Sequence, residues 1–207
     1  MSEELGRIEK PVSEEFKTGR KLFFIPLIYC GKESPADYME IFSKYWNQVE
    51  NQLAALELKL GQTHKIYHEL IPVGGDDGVK VIKELNEKSH QIIETRLKEK
   101  AQLEATEESE LLTEFMDWSR CLAIGLQNPN VFNKIYESYV EVNKKRNEHI
   151  ARQIDETLKA DEIGIFFMRE SHQVQIPSDI HVFYVAPPAL DEIGRWFRDR
   201  EVKKDSL

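Results

Sequence analysis

Two apolar runs, Ile163-Gly164-Ile165-Phe166-Phe167-Met168 and Ile180-His181-Val182-Phe183-Tyr184-Val185, enclose the polar group Arg169-Glu170-Ser171-His172-Gln173. If the first run is a strand and continues past residue 168, Glu170 and His172 stand two apart and share a face. A carboxylate beside an imidazole can pass protons between acid and base, or supply two ligands to a divalent metal. The competing reading is hydrogen bonding within the loop. A metal site would need further ligands, and no His-x-x-x-His or Cys-x-x-Cys spacing provides them. Ser119 and Ser171 lie in no nucleophile-elbow motif.

Three other places carry chemical side chains. Glu69 closes the run Ile66-Tyr67-His68-Glu69-Leu70, and a carboxylate in an apolar segment needs a partner. It is either a functional acid or base, or a surface glutamate paired to Lys or Arg. Arg146, in Lys144-Lys145-Arg146-Asn147-Glu148-His149, offers a planar fork that matches a carboxylate, with Asn147 beside it. A solvated helix face is the alternative there. The turn Gly74-Gly75-Asp76-Asp77-Gly78 could hold an anion at a helix start, but two aspartates repel phosphate, and neither nucleotide-binding fingerprint is present. Asp76 or Asp77 as a helix cap is the simpler expectation. The candidate catalytic residues are therefore Glu69, Glu170 and His172, and the candidate substrate-binding residues are Arg146 and Asn147.

The elements around these residues predict an α/β fold. Leu22 to Tyr29 is apolar enough for a strand covered on both faces, although Pro26 suits an edge or a bulge. Ser34-Pro35 opens a helix in which Tyr38, Phe42, Tyr45, Val49, Leu53, Leu56 and Leu60 form one stripe, and Gly61 stops it. A second strand follows at 63–70, so a right-handed crossover with parallel strands is expected. Three helices are predicted next, over 79–101, 107–127 and 130–159, and the middle one is the most buried by composition. Only about ten residues join the two late runs, too few for a crossover between adjacent parallel strands, so these are antiparallel or separated in the sheet. A last amphipathic helix covers 189–200. The expectation is a small, mostly parallel sheet wrapped by helices, with a long helical excursion (79–159) between the second and third strands. It forms one domain over 22–200, after a lead-in at 1–21. The excursion offers more apolar surface than a small sheet can cover, which suggests a homodimer interface.

Composition narrows the function classes. The chain has 207 residues, 41% hydrophobic and 31% charged, with a formal net charge of -9. The acidic block from Glu99 to Glu114 has no basic run to follow a phosphate backbone, which argues against nucleic acid as a partner. No apolar segment approaches the roughly 20 residues of a membrane span, and residues 1–21 are too charged for a signal peptide. Cys30 and Cys121 belong to no paired motif and read as buried free thiols. A cytoplasmic protein with no membrane contact is expected.

In order, the strand leading to Gly31, the strand ending in Glu69-Leu70, the helix with Arg146-Asn147 and the late strand before His172 resemble the TraB, Tiki and erythromycin-esterase superfamily. The resemblance spans residues 22–185. It implies metal-dependent or esterase-type hydrolysis of a small-molecule or peptide substrate, with a divalent metal as one cofactor choice. Glu69, Arg146, Asn147 and His172 occupy its later motif positions. The chain departs from the pattern at Tyr29-Cys30-Gly31-Lys32-Glu33, where an early histidine belongs. It departs again at Arg169-Glu170-Ser171-His172, where Gly-x-x-His belongs. A non-catalytic interaction or oligomerisation protein using its helical surface is the alternative.

Overall fold

The computed structural model describes residues 18–204, with side chains through 200. Most of the lead-in expected over 1–21 lies outside the described residues, and a strand already begins at Arg20. Five strands, β1 (Arg20–Pro26), β2 (Lys65–His68), β3 (Gln102–Leu103), β4 (Ile163–Met168) and β5 (Ile180–Tyr184), form one sheet in the order β3-β2-β4-β1-β5. Every pairing is parallel. The α/β class and the helix-wrapped parallel sheet thus hold.

Alternation along the strands makes two cores. Phe23 and Ile25 of β1, with Ile163, Ile165 and Phe167 of β4, point to one face. There they meet the helices α1 (Ala36–Leu60), α2 (Gly75–Leu85), α3 (Glu87–Lys98) and α6 (Pro188–Lys204). Leu22, Phe24 and Phe166 point to the other face, against Ile150, Ile154 and Leu158 at the C-terminal end of α5 (Pro129–Thr157). Gly164 keeps that second face close, because a Cβ there would lie 2.9 Å from Leu22 Cδ1 and 3.1 Å from Tyr67 Cε2. β1 is an interior strand, between β4 and β5, and Pro26 sits at its last position, where the missing donor interrupts no ladder. The Pro26 carbonyl instead accepts the Tyr45 hydroxyl at 2.5 Å.

The helical excursion differs from expectation in three ways. First, it is interrupted by β3, two residues long and paired to β2; a strand this short leaves no alternation to read. Second, the helix expected over 79–101 breaks at Asn86, whose side chain caps α3 by accepting Lys88 N and Ser89 N, while its amide donates to Ile28 O at 2.8 Å. Third, α4 (Ser109–Ala123) is not the most buried helix. Its one buried residue is Phe115, and it packs mainly on α5 as a hairpin. Exposed Met116 and Ile124 on that side are joined by Val131, Phe132, Tyr136 and Val140.

The start of α1 and the glycine turn also differ. Ser34 Oγ accepts Gly31 N at 3.0 Å instead of capping α1. Asp76 and Asp77 lie in the first turn of α2 without capping it, and Asp77 pairs with Lys80 at 2.8 Å. The glycines there serve close packing: a Cβ on Gly74 would sit 2.7 Å from Leu103 O, and one on Gly78 2.3 Å from Val73 O. β4 and β5 are parallel but separated by β1, the arrangement that a short connection allows. Among the described residues no helix is long and apolar enough to cross a membrane. Cys30 and Cys121 are free but only half-buried.

Candidate functional site

Because all five strands run the same way, their C-terminal ends meet along one edge. After β1 and β2 the chain leaves toward the first face, and after β4, which lies between them, toward the second. Crevices open at such reversals, and ligands of open α/β sheets occupy them. Glu69 follows β2 at this point, Glu107 follows β3, and Arg169 follows β4; Arg146 reaches in from α5.

These four side chains close on one another. Arg146 holds Glu107 with both arms of its fork: Nε donates to Oε2 at 2.7 Å and Nη2 donates to Oε1. The same Nη2 donates to Glu69 Oε1 at 3.2 Å. Arg169 Nε donates to Glu69 Oε1 at 2.5 Å, and its backbone N–H donates to Oε2 at 3.2 Å. Leu70 N–H, turned by a left-handed backbone at φ 69°, supplies Glu107 Oε1 at 3.0 Å. Phe115 forms the lid, its ring centre 4.6 Å from the Arg146 guanidinium carbon and 5.7 Å from that of Arg169. Two carboxylates and two guanidiniums give no net charge. Every carboxylate oxygen has a donor, and the side chains of Glu69 and Glu107 are 0% exposed. Tyr29, beyond β1, borders the cluster; burial and then the Glu69 carboxylate push its phenol upward.

Behind Glu69, His68 is fully buried. Its Nδ1 donates to the Glu69 carbonyl at 2.7 Å, and Nε2 faces Ser89 Oγ at 3.1 Å. Desolvation pushes this imidazole down to about 4, with the Glu69 carbonyl and carboxylate opposing the shift.

The sequence-predicted residues therefore divide. Glu69 and Arg146 come together, and Arg146 is core rather than a solvated helix face. Asn147, the next position on α5, diverges by about 100° around the helix. It lines a separate groove with Lys144, Glu148, Gln173 and Gln175. Glu170 and His172 do not continue β4: the chain turns there, with His172 N–H donating to Arg169 O at 3.2 Å. The two-apart strand geometry does not apply, yet both side chains line one groove, with Tyr184. Glu170 accepts the Tyr184 hydroxyl at 2.5 Å. Burial holds His172 below the ordinary imidazole value, the Glu69 carboxylate pulling the other way.

Glu107 was hidden in the acidic block, where neighbours of like type masked the one glutamate that turns inward. Arg169 stood in the polar loop without a partner to mark it. The residues do not fit a resident metal: among the described residues no three His, Cys, Asp or Glu side chains gather as a cation site, and both Glu69 oxygens are bound to arginine. Compared with family models, curated proteins and solved structures, the chain matches none.

Proposed function

We propose that the chain is a non-catalytic interaction protein that pairs with a second copy of itself through the α4–α5 hairpin. The observation that carries this reading is the closure of Glu69. A catalytic carboxylate must reach substrate with a free lone pair, whereas this one is 0% exposed and held at both oxygens by Arg146 and Arg169. In a hydrolase of the TraB-like kind, the strand-end acid would need to be open. Here Arg169, standing where that pattern has glycine, fills the space.

Support for self-pairing comes from α5. Phe132, Tyr136 and Val140 follow at four-residue steps on one face and are 41%, 50% and 46% exposed. A two-fold axis lays such a row against its own copy and buries both. The two free cysteines suit a reducing compartment such as the cytoplasm.

Sedimentation equilibrium tests the pairing, with Tyr136→Glu as the disrupting variant and helical content followed by circular dichroism. A dimer that becomes a folded monomer in the variant is the expected result. A wild-type monomer removes the self-pairing surface. Turnover of an ester panel by wild type that disappears in a folded Glu69→Gln variant overturns the non-catalytic reading.

A further inference from the structure

The groove beside β5 lies outside the closed cluster and has the composition of a small-ligand site. β5 is an edge strand; its first residue, Ile180, joins the second core, while Val182 and Tyr184 further along the same face are about half exposed. The loop from 169 to 179 crosses that face and anchors itself by Val174 in the second core. Between loop and sheet is a groove of about 250 Å³. This is below the roughly 300–1,000 Å³ of pockets for drug-sized molecules, so its occupant is small.

The walls are apolar, Phe24, Ile176 and Val182 among them, and three polar side chains, Glu170, His172 and Tyr184, converge there. The rings of His172 and Tyr184 both rest on Phe24, with centres 4.8 and 5.2 Å away. His172 Nδ1 accepts Val174 N–H at 3.1 Å. Its proton therefore sits on Nε2, which has no partner among the described residues. Tyr184 fixes Glu170 through Oε1 and leaves Oε2 without a partner among them. Among the described residues no lysine or arginine lines the groove. One carboxylate, aromatic faces and no opposing cation select positive charge.

We propose that this groove binds a small organic amine with an apolar body and an acceptor oxygen near its nitrogen. The ammonium meets Glu170 Oε2 and the aromatic faces, the oxygen accepts from His172 Nε2–H, and the apolar body lies on Val182 and Ile176. Binding in this groove requires neither self-pairing by α5 nor any catalytic role for Glu69.

The test is an NMR titration of the isotopically labelled full chain with phenylalaninol, following the His172 ring and the Tyr184 amide. The anion phenylpropionate and the neutral phenylpropanol serve as charge controls. Phenylalaninol is expected to give saturable shifts at both positions, with the controls giving none. Glu170→Gln is expected to weaken binding at least about tenfold, as when a charge-assisted bond becomes a neutral one. Glu148→Gln, on the Asn147 groove, is expected to leave binding unchanged. Glu170 is exposed, so its variant removes no core contact. No saturable shift with the amine, equal binding of either control, or an unchanged affinity in Glu170→Gln each overturns the proposal.

Discussion

Replacing Arg146 by methionine tests whether the strand-end cluster is a structural fastening. The substitution keeps an apolar side chain beneath Phe115 and removes the guanidinium that Glu107 grips with both oxygens. Glu107, with a side chain 0% exposed, is then left with the Leu70 N–H alone. Breaking a buried pair by removing one partner costs about 3–5 kcal/mol. Arg169 still neutralises Glu69, so the lower figure, about 3 kcal/mol, is expected. For a chain of this size that corresponds to a fall in Tm of roughly 6–12 °C, and it is a large part of a total stability of about 5–15 kcal/mol. Urea unfolding at neutral pH measures it. The double variant Arg146→Met/Glu107→Gln removes the stranded charge yet keeps a carbonyl for Leu70 N–H, so it should be more stable than Arg146→Met alone. If Arg146→Met instead unfolds within about 0.5 kcal/mol of wild type, the range of ordinary surface changes, the carboxylates are hydrated. The closed cluster would then be the wrong description, and Glu69 would again be a candidate acid or base.

The pH dependence of stability should carry the signature of His68. Its folded value, pushed down to about 4 from 6.5, means that the unfolded chain binds more protons between those values, so stability is complete above about pH 6.5 and declines as pH falls toward 4. The loss at the acid end is about 3 kcal/mol; His68→Gln should be less stable at pH 8 but lack this part of the slope in urea titrations. Gly78→Ala should lose about 1–3 kcal/mol by overpacking, since the new methyl meets Val73 O at 2.3 Å and Leu103 Cδ2 at 2.9 Å. Asp77→Ala in the same turn loses only an exposed pair with Lys80 and should stay within about 0.5 kcal/mol of wild type by thermal melting.

The legible parts of the chain were those whose pattern repeats. The α1 stripe from Tyr38 to Leu53 and the apolar runs of β1 and β4 recur at helical or strand steps, and the core receives them as read. Burial by composition misled for α4, because Leu111, Leu112 and Trp118 make it apolar without saying whether a sheet lies beneath it. Its neighbour is α5, and only Phe115 becomes buried. Charge was the least legible property. Arg96 on α3 looks like part of a solvated face, yet it is 2% exposed and bound to Glu50 at 2.7 Å and Glu57 at 2.9 Å. Arg146, Arg96 and Glu107 are each one charged residue in a charged stretch. Their inward direction depends on partners 39 to 77 positions away, which no local spacing encodes.

The same logic explains why the polar residues separate into a closed set and an open one. A crevice formed where neighbouring strands send their connections to opposite faces exposes strand-end backbone and side chains. It is stable when occupied by ligand, by water or by the chain itself. Here the chain occupies it: Arg169, the first residue after β4, turns its guanidinium back over Glu69 while its own N–H binds the second oxygen. A glycine at 169 could supply the N–H but not the guanidinium, and Glu69 Oε1 would be left with Arg146 Nη2 as its donor. Turning Arg169 inward also directs the next residues outward, so Glu170 and His172 leave the strand and come to rest over Phe24, beside β5. One arginine thus seals the crevice and carries the remaining polar chemistry to the neighbouring groove. On this argument Arg169→Gly should increase solvent access to Glu69 and loosen the His172 loop together, seen as faster amide exchange at both Leu70 and Val174. Faster exchange at Leu70 alone would show that the closed cluster and the groove are built independently.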